Sequence, residues 1–357
     1  MLMFNQKFFM KRFLTMGIVF CVFQLLISVV IGNQASAGEQ VKPWKFAVVC
    51  DNRGDSRADN PYKSGLNESV VNAIAKDIVL EGAELVIVPG DMVNGSYNIK
   101  TSYADQFASW RKAMSPVYDA GIKVYPVRGN HEDGPFMNSK KYTWPPSNDN
   151  PIVAHNEELK AAFIQEYNDP WIPENGPEGE KHLTYSFSHK NAFFMGLDVF
   201  INPIKVNQPW IDEQLKENRL PHIFVYGHDP AFRVEHTDSL ASYPQERDVF
   251  WNSIGKAGAK LYFCGHDHLY NRAHIKDELG NTVYQVLAGS GGAPGAKWSK
   301  SYAEGDKVVN DYQDDVHYGY AIVTVDGSLV TMEWKALFTE NGEKVWDTMD
   351  ILEYAIK

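Results

Sequence analysis

The sequence predicts an α/β fold, a four-layer α/β/β/α sandwich of mixed sheets with a metal site at the C-terminal ends of its strands. Three observations predict it. From residue 45 onward, continuous apolar runs bounded by Gly and Pro alternate with stretches of helical length, the pattern of buried parallel strands in βαβ units. The end of the chain switches to β-type runs joined at Asp326-Gly327, a hairpin signal. Five apolar runs end in Gly or Asp and then present a side chain of the metal-ligating kind.

In chain order, Lys7, Lys11 and Arg12 precede an apolar stretch from Phe13 to about Gly32, closed by Ala35-Ser36-Ala37. A charged start, an uncharged middle and small residues spaced as A-x-A read as a signal peptide over 1–37. Cleavage there leaves 38–357 as a single domain, exported to the periplasm or secreted, with no stable membrane association. KFAVVC then predicts a strand, Leu66 to Gly82 a helix, ELVIVP a strand, Tyr103 to Gly121 a helix and IKVYPV a strand. Ligands of such sheets gather at the carboxyl ends of strands, where Asp51, Asp91 and Asn130 fall. Residues from about 134 to 182 are rich in Pro, Asn and Asp around a predicted helix from Asn156 to Tyr167, and read as an insertion over one rim of the site. LTYSFSHK and NAFFMGLDV predict a hairpin turning at Lys190-Asn191. A helix near Gln208 to Asn218, strand HIFVYG, a helix near Glu246 to Ala257 and strand KLYFCG follow, and TVYQVLAG, YGYAIVTVDG and SLVTMEWKALF close the list of strands.

The formal net charge is −11, and loss of a segment holding Lys7, Lys11 and Arg12 but no acid makes the remainder more negative still. Such a surface repels polyphosphate backbones and anionic membranes, so generic nucleic-acid binding is not expected. Only Cys50 and Cys264 lie beyond Cys21, so no disulfide framework is expected and both read as small buried thiols at strand ends.

The five strand-end segments are Asp51-Asn52-Arg53, Gly90-Asp91, Gly129-Asn130-His131-Glu132, Gly227-His228 and Gly265-His266-Asp267-His268. Asp51, Asp91, Asn130, His228, His266 and His268 together supply carboxylates, an amide oxygen and neutral imidazoles. Hydrolysis of a phosphate ester asks for that list, because cations must neutralise the phosphate and convert water into a nucleophile near neutral pH.

The order D-x-x, G-D, G-N-H-E, G-H and G-H-x-H over about residues 45 to 335 resembles the calcineurin-like metallophosphoesterase superfamily. The resemblance implies an exported metal-dependent phosphoesterase that hydrolyses phosphate mono- or diesters of a small phosphorylated substrate by metal-activated hydroxide. It implies two divalent or trivalent ions, Mn, Fe or Zn, with Asp91 as their bridge. Asp51 and His268 would serve the first ion, and Asn130, His228 and His266 the second. His131 takes the family's place for a catalytic histidine that binds phosphate or protonates the leaving oxygen. Glu132 and Asp267 are expected to orient imidazoles. Gly289-Ser290-Gly291-Gly292-Ala293-Pro294 resembles a glycine-rich turn beside the cleft, and His317 and Tyr318 are within possible reach of it.

Arg53 departs from the family's D-x-H, where the histidine binds the first metal. A guanidinium is always protonated and has no lone pair, so it cannot be a ligand. The purple acid phosphatase branch also lacks that histidine and uses a tyrosine three positions after the bridging aspartate, a position occupied here by Asn94. Three readings stay open: a weakened first site, a substitute ligand such as Asn94, or a single ion with Arg53 sharing its electrostatic work. Arg53 is expected to bind phosphate, its planar fork of donors suiting phosphate oxygens. A different class of function, a metal- or phosphate-ligand-binding protein with a degenerate catalytic site, rests on Arg53 alone.

Overall fold

A computed structural model describes residues 42–54, 64–95, 101–133, 151–202, 204–299 and 301–356. The signal-peptide segment 1–37 and the first part of the expected insertion, 134–150, lie outside the described residues. Three parallel strands, β1 (Trp44–Val48), β2 (Leu85–Val88) and β3 (Lys123–Pro126), alternate with helices α1 (Glu68–Leu80), α2 (Tyr103–Ala113) and α3 (Ser115–Asp119). The single helix expected from Tyr103 to Gly121 is thus two. It breaks at Met114, just before Ser115-Pro116, where a proline inside a continuous helix would lack its N–H and clash with the preceding turn.

After the four-residue α4 (Asn130–Asp133) comes α5 (Pro151–Glu166), whose Leu159 and Phe163 are buried against α1 and α2. The later half of the expected insertion therefore belongs to the core. The second sheet is built from β4 (Tyr185–His189), β5 (Ala192–Leu197), β6 (His222–Gly227), β7 (Leu261–Cys264), β8 (Tyr270–Lys276), β9 (Thr282–Ala288) and β10 (Val308–Asp314), with α6 (Gln208–Glu217) and α7 (Pro244–Ala257) on its outer face. The chain then returns to the first sheet as β11 (Tyr318–Asp326), β12 (Leu329–Glu340) and β13 (Glu343–Ala355). The first sheet is ordered β13-β12-β11-β1-β2-β3 and the second β10-β8-β9-β7-β6-β5-β4.

Period-two alternation along each central strand sorts side chains between two apolar layers. On β1, Ala47 packs towards α1 and α2, whereas Phe46 crosses to the other sheet and meets Phe194 at 5.2 Å and Phe224 at 4.8 Å between ring centroids. Both pairs are edge-to-face, a geometry worth about 0.5–1.5 kcal/mol beyond area burial. On the second sheet, Phe193, Met195, Ile223 and Val225 face Ile211, Phe250, Trp251 and Ile254 of α6 and α7. Helices, sheet, sheet and helices make the four-layer α/β/β/α sandwich, and residues 43–357 form one compact unit. Among the described residues no helix is long and apolar enough to cross a membrane.

Candidate active site

The carboxyl ends of β1, β2, β3, β6 and β7 meet at one place. Asp51, Asp91 and His266, each two or three residues beyond its strand, take left-handed backbone conformations with φ of 54°, 52° and 76°. Non-glycine residues in that region are strained, and such strain persists where surrounding structure fixes it. The fixing contacts are specific. Glu132 accepts from the Asp91 N–H (2.8 Å), the Val93 N–H (3.1 Å) and the Gly129 N–H (2.7 Å), tying the second and third segments together. A Cβ on Gly129 would stand 2.2 Å from Asp91 Oδ1, and one on Gly265 would stand 2.1 Å from Asp51 Oδ2, so both glycines are required by close approach.

At what the sequence assigns as the second metal position, acceptor atoms face one another. His228 Nδ1 lies 2.8 Å from the Pro89 carbonyl, which can only accept, so Nδ1 carries the proton and Nε2 presents a lone pair. That Nε2 lies 3.0 Å from Asn130 Oδ1 and 3.4 Å from Asp91 Oδ1. His266 Nδ1 is also 3.0 Å from Asn130 Oδ1, while its Nε2 turns to Asp238 Oδ1 at 3.4 Å. Lone pairs of one amide oxygen, one carboxylate and two imidazoles converging in a buried space fit a metal ion.

The first position differs. Asp51, Asp91 and His268 offer ligand atoms within 4.8 Å of one another. His268 Nδ1 donates to the Pro294 carbonyl at 2.9 Å, which directs the Nε2 lone pair inward. Arg53 meets it there, with an Nη2–Nε2 distance of 3.1 Å, and Arg53 Nε lies 3.7 Å from Asp91 Oδ2.

The cleft so formed, of about 220 Å³, is lined by Arg53, Asp91, Asn130, His131, His236, Asp238, His266 and His268. Sequence reasoning missed His236 and Asp238. They lie in an irregular stretch between β6 and α7 with no strand-end pattern, and the signal available was a histidine with a carboxylate two residues on. Asp267 accepts from the His236 ring and backbone, so it does orient an imidazole, though that of His236. Glu132 departs from expectation, because all three of its contacts are backbone amides. Asn94 is fully buried but absent from the cleft lining, and its backbone carbonyl accepts from His131 Nδ1 at 3.0 Å. His317 pairs with Asp314 and does not line the cleft. Cys50 and Cys264 are free buried thiols.

The glycine-rich turn is a strap. Gly291 N–H donates to the Cys50 carbonyl (3.0 Å), Ala293 N–H to the Asp51 carbonyl (2.8 Å) and Asn52 Nδ2 to the Gly291 carbonyl (2.8 Å). A Cβ on Gly291 would lie 2.2 Å from the Cys50 oxygen, which is why this approach demands glycine. The strap locks the β1 end and, through Pro294, aims His268.

Burial dominates the electrostatics. It pushes His131 down to about 3 and His228 to about 4, and with Arg53 it holds His268 well below the usual imidazole range. These rings are neutral near pH 7. Burial would lower His266 as well, but Asp238, Asp229 and Asp267 raise it to about 10, so a metal ion bound at Nδ1 would displace a proton from that ring. Burial and the neighbouring Asp91 raise Asp51, whereas for Asp91 burial is outweighed by His228, His131 and Arg53, which hold it below the usual carboxylate range. Two buried carboxylates at close quarters are relieved by cations set between them.

A family model described as calcineurin-like phosphoesterase matches residues 66–270. No curated protein matches the chain in sequence. A purple acid phosphatase from seeds of yellow lupin (Lupinus luteus) is similar with a TM-score of 0.63 at 17% identity, over 88% of this chain and 54% of that one. This chain thus spans about half the length of the lupin protein. PhoD is similar with a TM-score of 0.62 at 16% identity, over 89% and 71%, and a dimetal phosphatase from Danio rerio with 0.54 at 12%, over 88% and 99%. At these identities the likeness is one of fold. The matched segment, more than half the chain and carrying seven of the eight cleft residues, shows that the chain belongs to the calcineurin-like phosphoesterase family.

Proposed function

We propose that this protein is exported and hydrolyses phosphate mono- or diesters of small molecules at the cleft between Arg53 and Asp238, using Mn, Fe or Zn. The observation that carries the reading is the convergence of His228 Nε2, His266 Nδ1, Asn130 Oδ1 and Asp91 Oδ1 on one buried point. These four would hold a metal ion, and Asp51, Asp91 and His268 define a neighbouring cation position. A bound ion supplies Lewis acidity towards the phosphoryl oxygens and lowers the pKa of water. The protein's own groups do the rest. Arg53 presents guanidinium N–H groups to phosphate oxygens. His131, its Nδ1 proton committed to the Asn94 carbonyl, keeps Nε2 towards the cleft as a proton acceptor. A phosphate dianion against that nitrogen favours the charged ring, which then donates to the leaving oxygen.

The test is hydrolysis of p-nitrophenyl phosphate and of bis(p-nitrophenyl) phosphate. Turnover with added Mn, Fe or Zn that stops on chelation is expected, whereas phosphate binding without turnover of either ester would assign a binding protein instead. Asp238 gives a finer prediction. Its carboxylate faces His266 Nε2 and so leaves Nδ1 to the metal position, and Asp238→Asn should weaken metal affinity by about 10–100-fold, measured by competition with a chelating dye. Unchanged affinity would leave Asp238 a passive wall of the cleft.

A further inference from the structure

We infer that the Arg53 guanidinium is the resident cation of the first position, so that this chain holds one metal ion, between Asp91, Asn130, His228 and His266, and divides the work of two cations between that ion and an arginine. The inference deepens the proposed hydrolase function and rests on it for the identity of the metal position. Its ground is the contrast between the two positions that share Asp91.

Asp91 turns one oxygen to each side. Oδ1 accepts the His131 backbone N–H at 3.0 Å and lies 3.4 Å from His228 Nε2, whose lone pair also faces Asn130 Oδ1 at 3.0 Å, so a metal ion set among them would satisfy acceptors that otherwise face one another. Oδ2 lies 3.7 Å from Arg53 Nε, and the guanidinium reaches past it to His268 Nε2 at 3.1 Å. The lone pair that a metal would need from His268 is therefore already taken by an N–H donor. An ion bound to that nitrogen would sit at about 2.0–2.1 Å from it, inside the space the arginine nitrogen fills. The guanidinium cannot escape by losing its charge. Nor is it a loose surface group, since its side chain is 14% exposed. The Asn52 and Arg53 N–H groups both donate to the Asp91 carbonyl, at 2.8 and 3.2 Å, and Arg53 forms an isolated bridge with Leu66. Arg53 Nη1 donates to the Gly54 carbonyl at 3.2 Å. The arginine is thus anchored by its backbone to the residue whose charge it compensates. With Asp51 and Asp91 as the two carboxylates of the pair, one arginine and one divalent ion leave the cluster with a net positive charge, suited to a phosphate anion.

The experiment counts ions without asking for turnover. Metal-free full-length protein is titrated with Mn, desalted and analysed for metal per chain, and the Mn electron paramagnetic resonance spectrum is recorded. Wild type should bind one ion and give the spectrum of an isolated Mn centre. Arg53→His should bind two and give an exchange-coupled spectrum, while Arg53→Ala, which frees His268 and Asp91 without adding a ligand, should take a second ion at least tenfold more weakly than the first. Two ions in wild type, or one in Arg53→His whose thermal unfolding matches wild type, would overturn the inference. Two ions with ester hydrolysis would sink the arginine's role and leave the hydrolase reading standing. One ion with no hydrolysis would do the reverse, and no ion bound would sink both.

Discussion

Replacing Asp91 with Asn should lower kcat/KM on an aryl phosphate by at least about three orders of magnitude while leaving the fold intact. The residue is 1% exposed, and it is the one carboxylate that faces both cation positions, with His228 on one side and Arg53 on the other. A metal ion's stabilisation of developing phosphoryl charge is worth several kcal/mol, and each 1.36 kcal/mol is a factor of ten. Asn keeps the size of the side chain and an oxygen that can still accept the His131 N–H bond of 3.0 Å, so loss of charge is the change tested. Asn also tolerates the left-handed backbone at φ 52° better than most residues, and the Asp91 N–H remains held by Glu132. Elemental analysis should show metal lost in parallel with activity. Activity within tenfold of wild type would remove Asp91 from the centre of the chemistry.

How much of this was legible in the sequence divides along physical lines. ELVIVP and HIFVY could be read because strands buried on both faces must be continuously apolar, and the ligands could be read because they stand directly after those runs. Strands β8, β10 and β13 escaped. β8 carries Arg272 and His274 among its residues, and β13 alternates charge with exposed Val345, Met349 and Ile351, so neither shows an apolar run. What holds these strands is polar and distant in sequence: Arg272 makes a two-pronged contact with Asp350 at 2.7 and 2.8 Å, and Tyr270 donates to the same carboxylate at 2.8 Å, joining the second sheet to the first.

The site divides the same way. Arg53 is conspicuous in the sequence as a misfit, but its partner His268 is 215 residues away and no local pattern connects them. His236 and Asp238 face the cleft from a loop whose conformation depends on Asp267 accepting the His236 backbone N–H at 3.0 Å. In the sequence Glu132 stands beside His131, and nothing local shows that its carboxylate turns away from imidazoles. The structure spends it on three amides instead, because the left-handed turns beside it expose N–H groups that no strand partner can satisfy.

Arg128→Ala should cost about 3–5 kcal/mol of stability, read as a fall in the urea midpoint at unchanged slope. Arg128 is 1% exposed and directly precedes Gly129-Asn130. Its Nε and Nη2 donate to the two oxygens of Asp198 at 2.7 and 3.1 Å, and Nη1 donates to Asp133 at 3.1 Å. Asp198 follows β5, so this one guanidinium joins the end of a strand in the first sheet to the end of a strand in the second, beside the cleft. Removing the arginine leaves two buried carboxylates with no cation between them. Burial already pushes Asp133 up to about 7 with the arginine in place. Asp198 would keep only backbone donors, the N–H groups of Phe200 at 2.9 Å and Ile201 at 3.2 Å. A loss of this size is a large part of the roughly 5–15 kcal/mol that holds a domain folded, so the variant should also accumulate poorly in cells. The double variant Arg128→Met with Asp198→Leu separates the two halves of the effect. If the cost is that of uncompensated charge, replacing both partners should recover much of the stability, whereas metal affinity should stay low because Asn130 has lost the anchor of its turn. A single variant as stable as wild type would mean that water replaces the guanidinium, and that the junction between the sheets rests on its other contacts.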